Sequence, residues 1–286
     1  METERADVGP VSWALSGFGD EIDADPAIQM AVLKALGASF IQVRSAWGTN
    51  IVDLDPEPLA AFAALLDERE MKVSAIASPV GKVDVSLPVE HEVLRLQRTI
   101  VAAHELGARY VRIFSFYRAD GLSADEVRDD VLVRMRALAD LAEKEGIILL
   151  HENEKEIYGD TPDRVLDLIE SVGSSALRAA WDNANFVQVG VRPFTEGYAA
   201  LRPHLEYLQV KDAVAATGEV VPVGEGDGEL LETVTALRDD GYTGFASLEP
   251  HLTDFNNLGG FSGPAAFGLA ARAFARLTDQ IGVQLT

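Results

Sequence analysis

The sequence predicts a (β/α)8 barrel, one TIM-barrel domain over residues 1–286, and three observations predict it. Eight short apolar runs with strand character recur at intervals of roughly 25 to 38 residues, the span of one strand-plus-helix unit. The stretches between them begin and end with helix-capping residues. The chain has 286 residues, close to the roughly 250 of a typical single barrel, and no linker or low-complexity segment divides it.

The elements follow in order. A first strand over residues 14–17 leads to Asp25-Pro26, where the carboxylate can cap a helix and proline fits the first helical position because its missing N–H is not needed there. Gly37 supplies a left-handed stop. Strand two, residues 40–44, is followed by Asp55-Pro56 with the same start signal. Strand three covers 73–78, and Gly107 stops the next helix before strand four at 110–114. Ser123 and Glu126 have capping-box spacing, and Val127, Val131, Met135, Leu138 and Ala142 then fall on one helical face. Gly146 ends that helix. Strand five spans 147–152, Thr161-Pro162 opens and Gly173 closes the next helix, and strand six spans 177–182. Strand seven, 207–211, and strand eight, 245–249, are separated by a helix ending near Gly241. An open doubly wound sheet is the rival, but no Gly-x-Gly-x-x-Gly follows the first strand.

Composition narrows the function classes. Hydrophobic residues make up 48% of the chain, enough for a large core, yet the apolar runs fall well short of the roughly 20 residues of a membrane span. The N-terminal residues Met1 to Asp7 lack a basic start and an apolar stretch, so a cytoplasmic protein with no membrane partner is expected. The chain has no cysteine, which removes disulfides, thiolate metal sites and cysteine nucleophiles. A net charge of −22 opposes a nucleic-acid partner, whose phosphates call for Lys and Arg clusters. The acidity reads as a solvated surface. Homo-oligomer formation is left open.

Four strand ends carry the chemistry. Leu149-Leu150-His151-Glu152, Ala179-Ala180-Trp181-Asp182, Tyr207-Leu208-Gln209 and Ala246-Ser247-Leu248-Glu249 each end an apolar run on a metal-capable side chain. The C-terminal ends of parallel barrel strands converge, so Glu152, Asp182, Gln209 and Glu249 would meet there. Three carboxylates and an amide oxygen make an all-oxygen site for one hard divalent ion, Mn2+ or Mg2+ in preference to Zn2+. The alternative is a set of salt-bridged carboxylates on a barrel rim.

Beyond these ends lie the motifs Phe18-Gly19-Asp20-Glu21, His151-Glu152-Asn153-Glu154-Lys155, Trp181-Asp182-Asn183-Ala184-Asn185, Gln209-Val210-Lys211-Asp212-Ala213, Val223-Gly224-Glu225-Gly226-Asp227 and Glu249-Pro250-His251. With these motifs the chain resembles the xylose isomerase-like barrels, a superfamily of sugar isomerases and epimerases. The resemblance covers nearly the whole chain. It implies one divalent ion held by Glu152, Asp182 and Glu249, with Gln209 where many members have His. It also implies that Glu152 and Glu249 act as an acid/base pair next to the carbonyl of a small sugar or polyol-derived substrate. A metal-dependent dehydratase of the inosose or dehydroshikimate type would use the same ligands. A non-catalytic sugar-binding barrel and an abasic-site endonuclease are further alternatives, the latter opposed by the acidic balance and by having five histidines in all.

Substrate contacts are expected from Asn185, Lys211, Tyr158, Arg44 and His251, placed by position near the mouth. The positions where free-ketose epimerases of the superfamily carry His, Glu and Arg are Asn185, Tyr158 and Ala215 here, so that pocket is not reproduced. Lys211 reads equally as a rim partner of Asp212. Arg44 and Arg112 read either as clamps for an anionic group or as partners of Asp20 and Glu21. His151 should point away from Glu152 into a buried hydrogen bond. Glu225 is expected over the site, with Trp47 and Phe116 as wall residues or core.

Overall fold

A computed structural model describes residues 11–253 and 260–286. Eight parallel strands form the barrel: β1 (Ser12–Gly17), β2 (Phe40–Val43), β3 (Lys72–Ala77), β4 (Tyr110–Ile113), β5 (Ile148–Glu152), β6 (Leu177–Asp182), β7 (Leu205–Val210) and β8 (Phe245–Leu248). Ladders join neighbours in chain order from β2 to β8, and β8 pairs with β1 through Ala14–Phe245 to Gly17–Leu248. The sheet curls until β2 returns to the end of β1 in a single parallel bridge between Phe18 and Gln42. Gln284–Leu285 adds a short parallel strand beside Ser12 and Trp13. The barrel fold is therefore the one the sequence implies, with strand limits that differ by a residue or two.

Around the strands lie α1 (Pro26–Ala35), α2 (Pro56–Glu68), α3 (Val89–Glu105), α4 (Ala124–Glu145), α5 (Pro162–Val172), α6 (Asn183–Gln188), α7 (Ala199–Leu201), α8 (Leu230–Asp239) and α9 (Gly263–Ile281). The Asp25 carboxylate accepts from Ala27 N, and Ser123 with Glu126 forms the full capping box. Asp55 and Thr161 stand at the N-cap positions of α2 and α5 without a side-chain bond, so proline alone marks those starts. The connection from β6 to β7 is broken into α6, a π-helical turn over Pro193–Tyr198, and α7. No described helix is long and apolar enough to cross a membrane.

Two layers of core set the barrel's stiffness. Between strands and helices, Trp13, Phe62, Phe186, Phe267 and Phe274 are wholly or almost wholly buried, each worth about 1.5–3 kcal/mol or more in apolar area. Inside, the rings of Phe40, Tyr110, Tyr207 and Phe245 pack edge-on or tilted at centroid separations of 4.9 to 6.3 Å. Above them runs a chain of hydroxyls. Ser16 and Ser74 Oγ lie 2.6 Å apart, Ser74 Oγ is 2.8 Å from Tyr207 Oη, and Tyr207 donates to Gln42 Oε1 at 3.2 Å. The barrel is a filled core with an aromatic floor beneath its C-terminal end.

Candidate active site

All eight strand ends contribute to a cavity of about 480 Å3 at that end, lined among others by Asp20, Arg44, Ser78, Arg112, Glu152, Asn185, Lys211 and Glu249. Glu152 is the last residue of β5, and Asp182 ends β6 while capping α6, where its Oδ1 accepts from Asn185 N at 2.9 Å. Asn153 ties the two strand ends together: its Nδ2 donates to Asp182 O at 2.9 Å and its Oδ1 accepts from Asp182 N at 3.0 Å. Glu249 follows β8 directly, held by a bond from its N to Val210 O at 3.2 Å.

Glu152, Asp182 and Glu249 each present an oxygen, all within 4.8 Å of one another, and all three residues are buried. Gln209, paired across the ladders with Asp182 and Ser247, joins them. Its Nε2 donates weakly to Glu152 Oε2 at 3.5 Å, whereas its Oε1 is buried without a partner. An orphaned amide oxygen beside three converging carboxylates fits a hard divalent cation, because a buried acceptor is otherwise left unsatisfied at a cost of about 1–3 kcal/mol.

Cations already border the oxygens. Lys211 Nζ lies 2.9 Å from Asp182 Oδ2 and 3.2 Å from Glu249 Oε2. It therefore turns inward and is not the rim partner of Asp212. Arg112 Nε sits 3.2 Å from Glu152 Oε2, with its guanidinium over the Phe114 ring. Arg44 Nε donates to Asp20 Oδ2 at 2.7 Å, and its Nη1 is 3.7 Å from Glu249 Oε1. Asn185 Nδ2 donates to Glu152 Oε1 at 3.3 Å and to Asn153 O at 2.9 Å. His251 Nε2 stands 3.4 Å from Glu249 Oε1 and 3.2 Å from Glu21 Oε1.

These neighbours set the protonation states. Burial pushes Glu152 up to about 7 against the pull of Arg112, and pushes Asp182 up to about 6 against Lys211. Burial also raises Glu249, but Lys211 first and His251 second outweigh it and leave this carboxyl well below its usual range. Lys211 is penalised by burial yet held well above its ordinary value by Asp182 and Glu249. Their different neighbours thus move the two glutamates in opposite directions, with Glu249 the more readily ionised.

Several expected positions are corrected. Tyr158 is buried away from the cavity and donates to Asp167 Oδ2 at 2.5 Å, because the chain after β5 turns back toward α5. The glycine-rich stretch wraps Asp212 and leaves Glu225 outside the cavity lining. Asp212 Oδ2 accepts from Gly224 N and Gly226 N, and Oδ1 from Gly228 N. A Cβ at Gly226 or Gly228 would stand 2.4 or 2.6 Å from Asp212 Oδ1, which explains the glycines. Trp47 packs on Phe62 at 6.2 Å, and Phe116 is core; the aromatic wall is Phe114 and Tyr117. His151 has the expected buried role, with Nε2 2.9 Å from Ser115 Oγ, and burial brings it down to about 3.

Sequence reasoning passed over Lys82 and Ser78, which line the cavity with Glu154 of the His151–Lys155 motif, Lys82 Nζ donating to Glu154 Oε2 at 3.0 Å. Lys82 follows Gly81, whose Cβ would meet Phe114 O at 2.1 Å. A glycine demanded by so close a backbone approach was the available signal.

The family model described as xylose isomerase-like TIM barrel matches residues 30–276. The chain belongs to this family. Among curated relatives, a 2-epi-5-epi-valiolone 7-phosphate 2-epimerase from Actinoplanes sp. is 30% identical over 238 residues, 81% of this chain and 82% of the relative. Two solved structures share the fold. A xylose isomerase-like TIM barrel protein from Mycobacterium smegmatis in complex with magnesium has a TM-score of 0.69 at 20% identity, covering 98% of this chain and 99% of that one. A probable 3-DHS dehydratase from Bacillus anthracis has a TM-score of 0.72 at 17% identity, covering 93% and 99%.

Proposed function

We propose that this xylose isomerase-like barrel is an isomerase or epimerase that moves a proton at the carbon beside the carbonyl of a small polyhydroxylated sugar or cyclitol. The observation that carries the reading is the meeting of Glu152, Asp182 and Glu249 within 4.8 Å with the orphaned Gln209 Oε1 on the neighbouring strand, where Glu152 and Glu249 line the cavity. These four residues would hold one divalent ion, and an all-oxygen set suits Mn2+ or Mg2+ better than Zn2+. When bound, such an ion polarises a carbonyl and offsets the negative charge that develops on its oxygen.

Glu249 and Glu152 divide the proton transfer. Held ionised by Lys211 and His251 against burial, Glu249 is suited to remove the proton. Glu152, its counterpart at the end of β5, would return one to the substrate. Arg44, Arg112, Lys211, Asn185 and His251 supply donors for substrate oxygens around this pair. The epimerase that is 30% identical supports the reaction class, and its cyclitol phosphate supplies the first compound to test.

With Mn2+ in heavy water, the protein is expected to place deuterium at the carbon beside the carbonyl of 2-epi-5-epi-valiolone 7-phosphate, or of a ketose or inosose in the same panel, without loss of water. Proton NMR and mass spectrometry read both. The Glu249→Gln variant should turn over at least about 10²-fold more slowly, the lower bound for a positioned base. Near-normal turnover would remove Glu249 from that role. Loss of water would make the protein a dehydratase, and binding without exchange would make it a sugar-binding barrel.

A further inference from the structure

Glu21 is a carboxylate removed from solvent altogether, and no step above uses it. It ends the 3-10 turn Gly19–Glu21 after β1 and reaches across to the segment after β8, its neighbour in the ring. Its carboxylate and its backbone oxygen are aimed there. Oε2 accepts from His251 N at 2.8 Å and from Ser262 Oγ at 2.9 Å, its backbone oxygen accepts from Ser262 N at 3.0 Å, and Oε1 faces His251 Nε2 at 3.2 Å. His251 itself has φ +46°, a backbone conformation that non-glycine residues adopt only when held. Its imidazole is turned back toward Glu249, with Nε2 3.4 Å from Oε1. Gly260 packs on the other side, where a Cβ would stand 1.9 Å from His251 Cδ2.

We propose that Glu21 is a positioning residue that fixes His251 against Glu249 Oε1 and so aims the carboxylate that moves the proton. The inference rests on the proposed role of Glu249. The geometry allows another occupant of the same point, a second cation shared by Glu21, Glu249 and His251, whose ligand atoms lie within 4.8 Å of one another. The histidine contact alone is favoured over that cation. Glu21 Oε2 is already saturated by two donors, and the Arg44 guanidinium stands 3.7 Å from Glu249 Oε1, where a second cation would meet it. The imidazole nitrogen, 3.2 Å from Glu21 Oε1 and 3.4 Å from Glu249 Oε1, stands between the two carboxylates and keeps Glu249 in one orientation.

The test compares Glu21→Gln, His251→Asn and the double variant with wild type. Glutamine keeps an oxygen for His251 N and Ser262 Oγ, so the loop should stay in place, as near-UV circular dichroism and the melting temperature would record. The expected result for Glu21→Gln is a 10–100-fold fall in kcat, the size typical of lost outer-shell orientation, with KM within about twofold, whereas His251→Asn, which also loses a substrate donor, should lower kcat at least as much and raise KM. The double variant should be no worse than the poorer single one, since both act through one contact. A loop staple alone would move stability and leave kcat intact. Independently of any substrate, the His251 imidazole nitrogen resonances, assigned by their loss in His251→Asn, should shift in Glu21→Gln and in Glu249→Gln. Shifted resonances with a wild type inert toward every compound would sink the proposed reaction and leave the contact standing. Unshifted resonances, additive kcat losses, or two Mn2+ or Zn2+ ions bound per wild-type chain by calorimetry would overturn the positioning role.

Discussion

Replacing Lys211 by methionine tests whether the lysine ammonium and a divalent ion serve the same oxygens. Lys211 is 4% exposed and lies 2.9 and 3.2 Å from oxygens of Asp182 and Glu249. At an effective dielectric of about 20, each contact carries about 5 kcal/mol of gross attraction. Desolvation offsets much of that, and removing one partner of a buried pair costs about 3–5 kcal/mol net. Methionine follows the lysine stem closely, so a cavity adds little. In a domain of this size 1 kcal/mol moves the melting temperature by about 2–4 °C, so the metal-free variant should melt roughly 6–20 °C below wild type. The lower end applies if Asp182 takes up a proton in place of the lost ammonium. Calorimetric melts at about pH 8, with chelator and then with excess Mn2+, give the decisive comparison. Mn2+ should raise the variant's melting temperature by several degrees more than that of wild type, because nothing then competes for Asp182 Oδ2 and Glu249 Oε2. Equal Mn2+ shifts in the two proteins would refute a shared place, and an unchanged metal-free melt would refute the ion pairs.

Two other outcomes follow from the oxygen set. Because an amide oxygen is a hard ligand, Gln209→His should bind Zn2+ more tightly and Mn2+ no better, as competitive metal titration would reveal; an unchanged preference would mean that Gln209 is not a ligand. Burial raises Glu152 to about 7 and Asp182 to about 6, so below pH 7 the metal-free site holds protons that a cation must displace. Mn2+ affinity should therefore climb between pH 5 and 7 and level off above about pH 8, with proton release measurable by calorimetry in buffers of different ionisation enthalpy. Affinity independent of pH over that window would contradict the raised carboxyls.

The barrel was legible because parallel strands buried on both faces write short apolar runs, and the ends of those runs are where polar side chains enter the cavity. Glu152, Asp182, Gln209 and Glu249 were readable for that reason. Lys211 was readable too, since it lies two residues beyond Gln209 and a strand repeats every two residues, although the rim reading of Asp212 obscured it. Past the strand ends that periodicity stops. Tyr158 lies in a loop whose direction depends on Asp167, and the glycine-rich stretch is organised by Asp212, which accepts its amides. Glu21 was hidden by distance, because its partner His251 N lies 230 positions away in sequence. The hydroxyl chain of Ser16, Ser74 and Tyr207 combines residues from three strands that no local pattern links.

The charge balance at the inner wall explains how so acidic a cluster persists in a buried place. Asp20, Glu21, Glu152, Asp182 and Glu249 face Arg44, Arg112 and Lys211, so full ionisation leaves the carboxylates two charges in excess. Buried charge without compensation costs several kcal/mol per group. Protons supply one remedy: burial raises Glu152, Asp182 and Glu21, the groups with the least direct cationic support relative to their desolvation. A doubly charged cation among Glu152, Asp182, Gln209 and Glu249 supplies the same two charges without protons, and it would leave both glutamates ionised. The site is thus poised between two ways of being neutral, and exchange between them is proton movement at the residues proposed to transfer a proton to substrate.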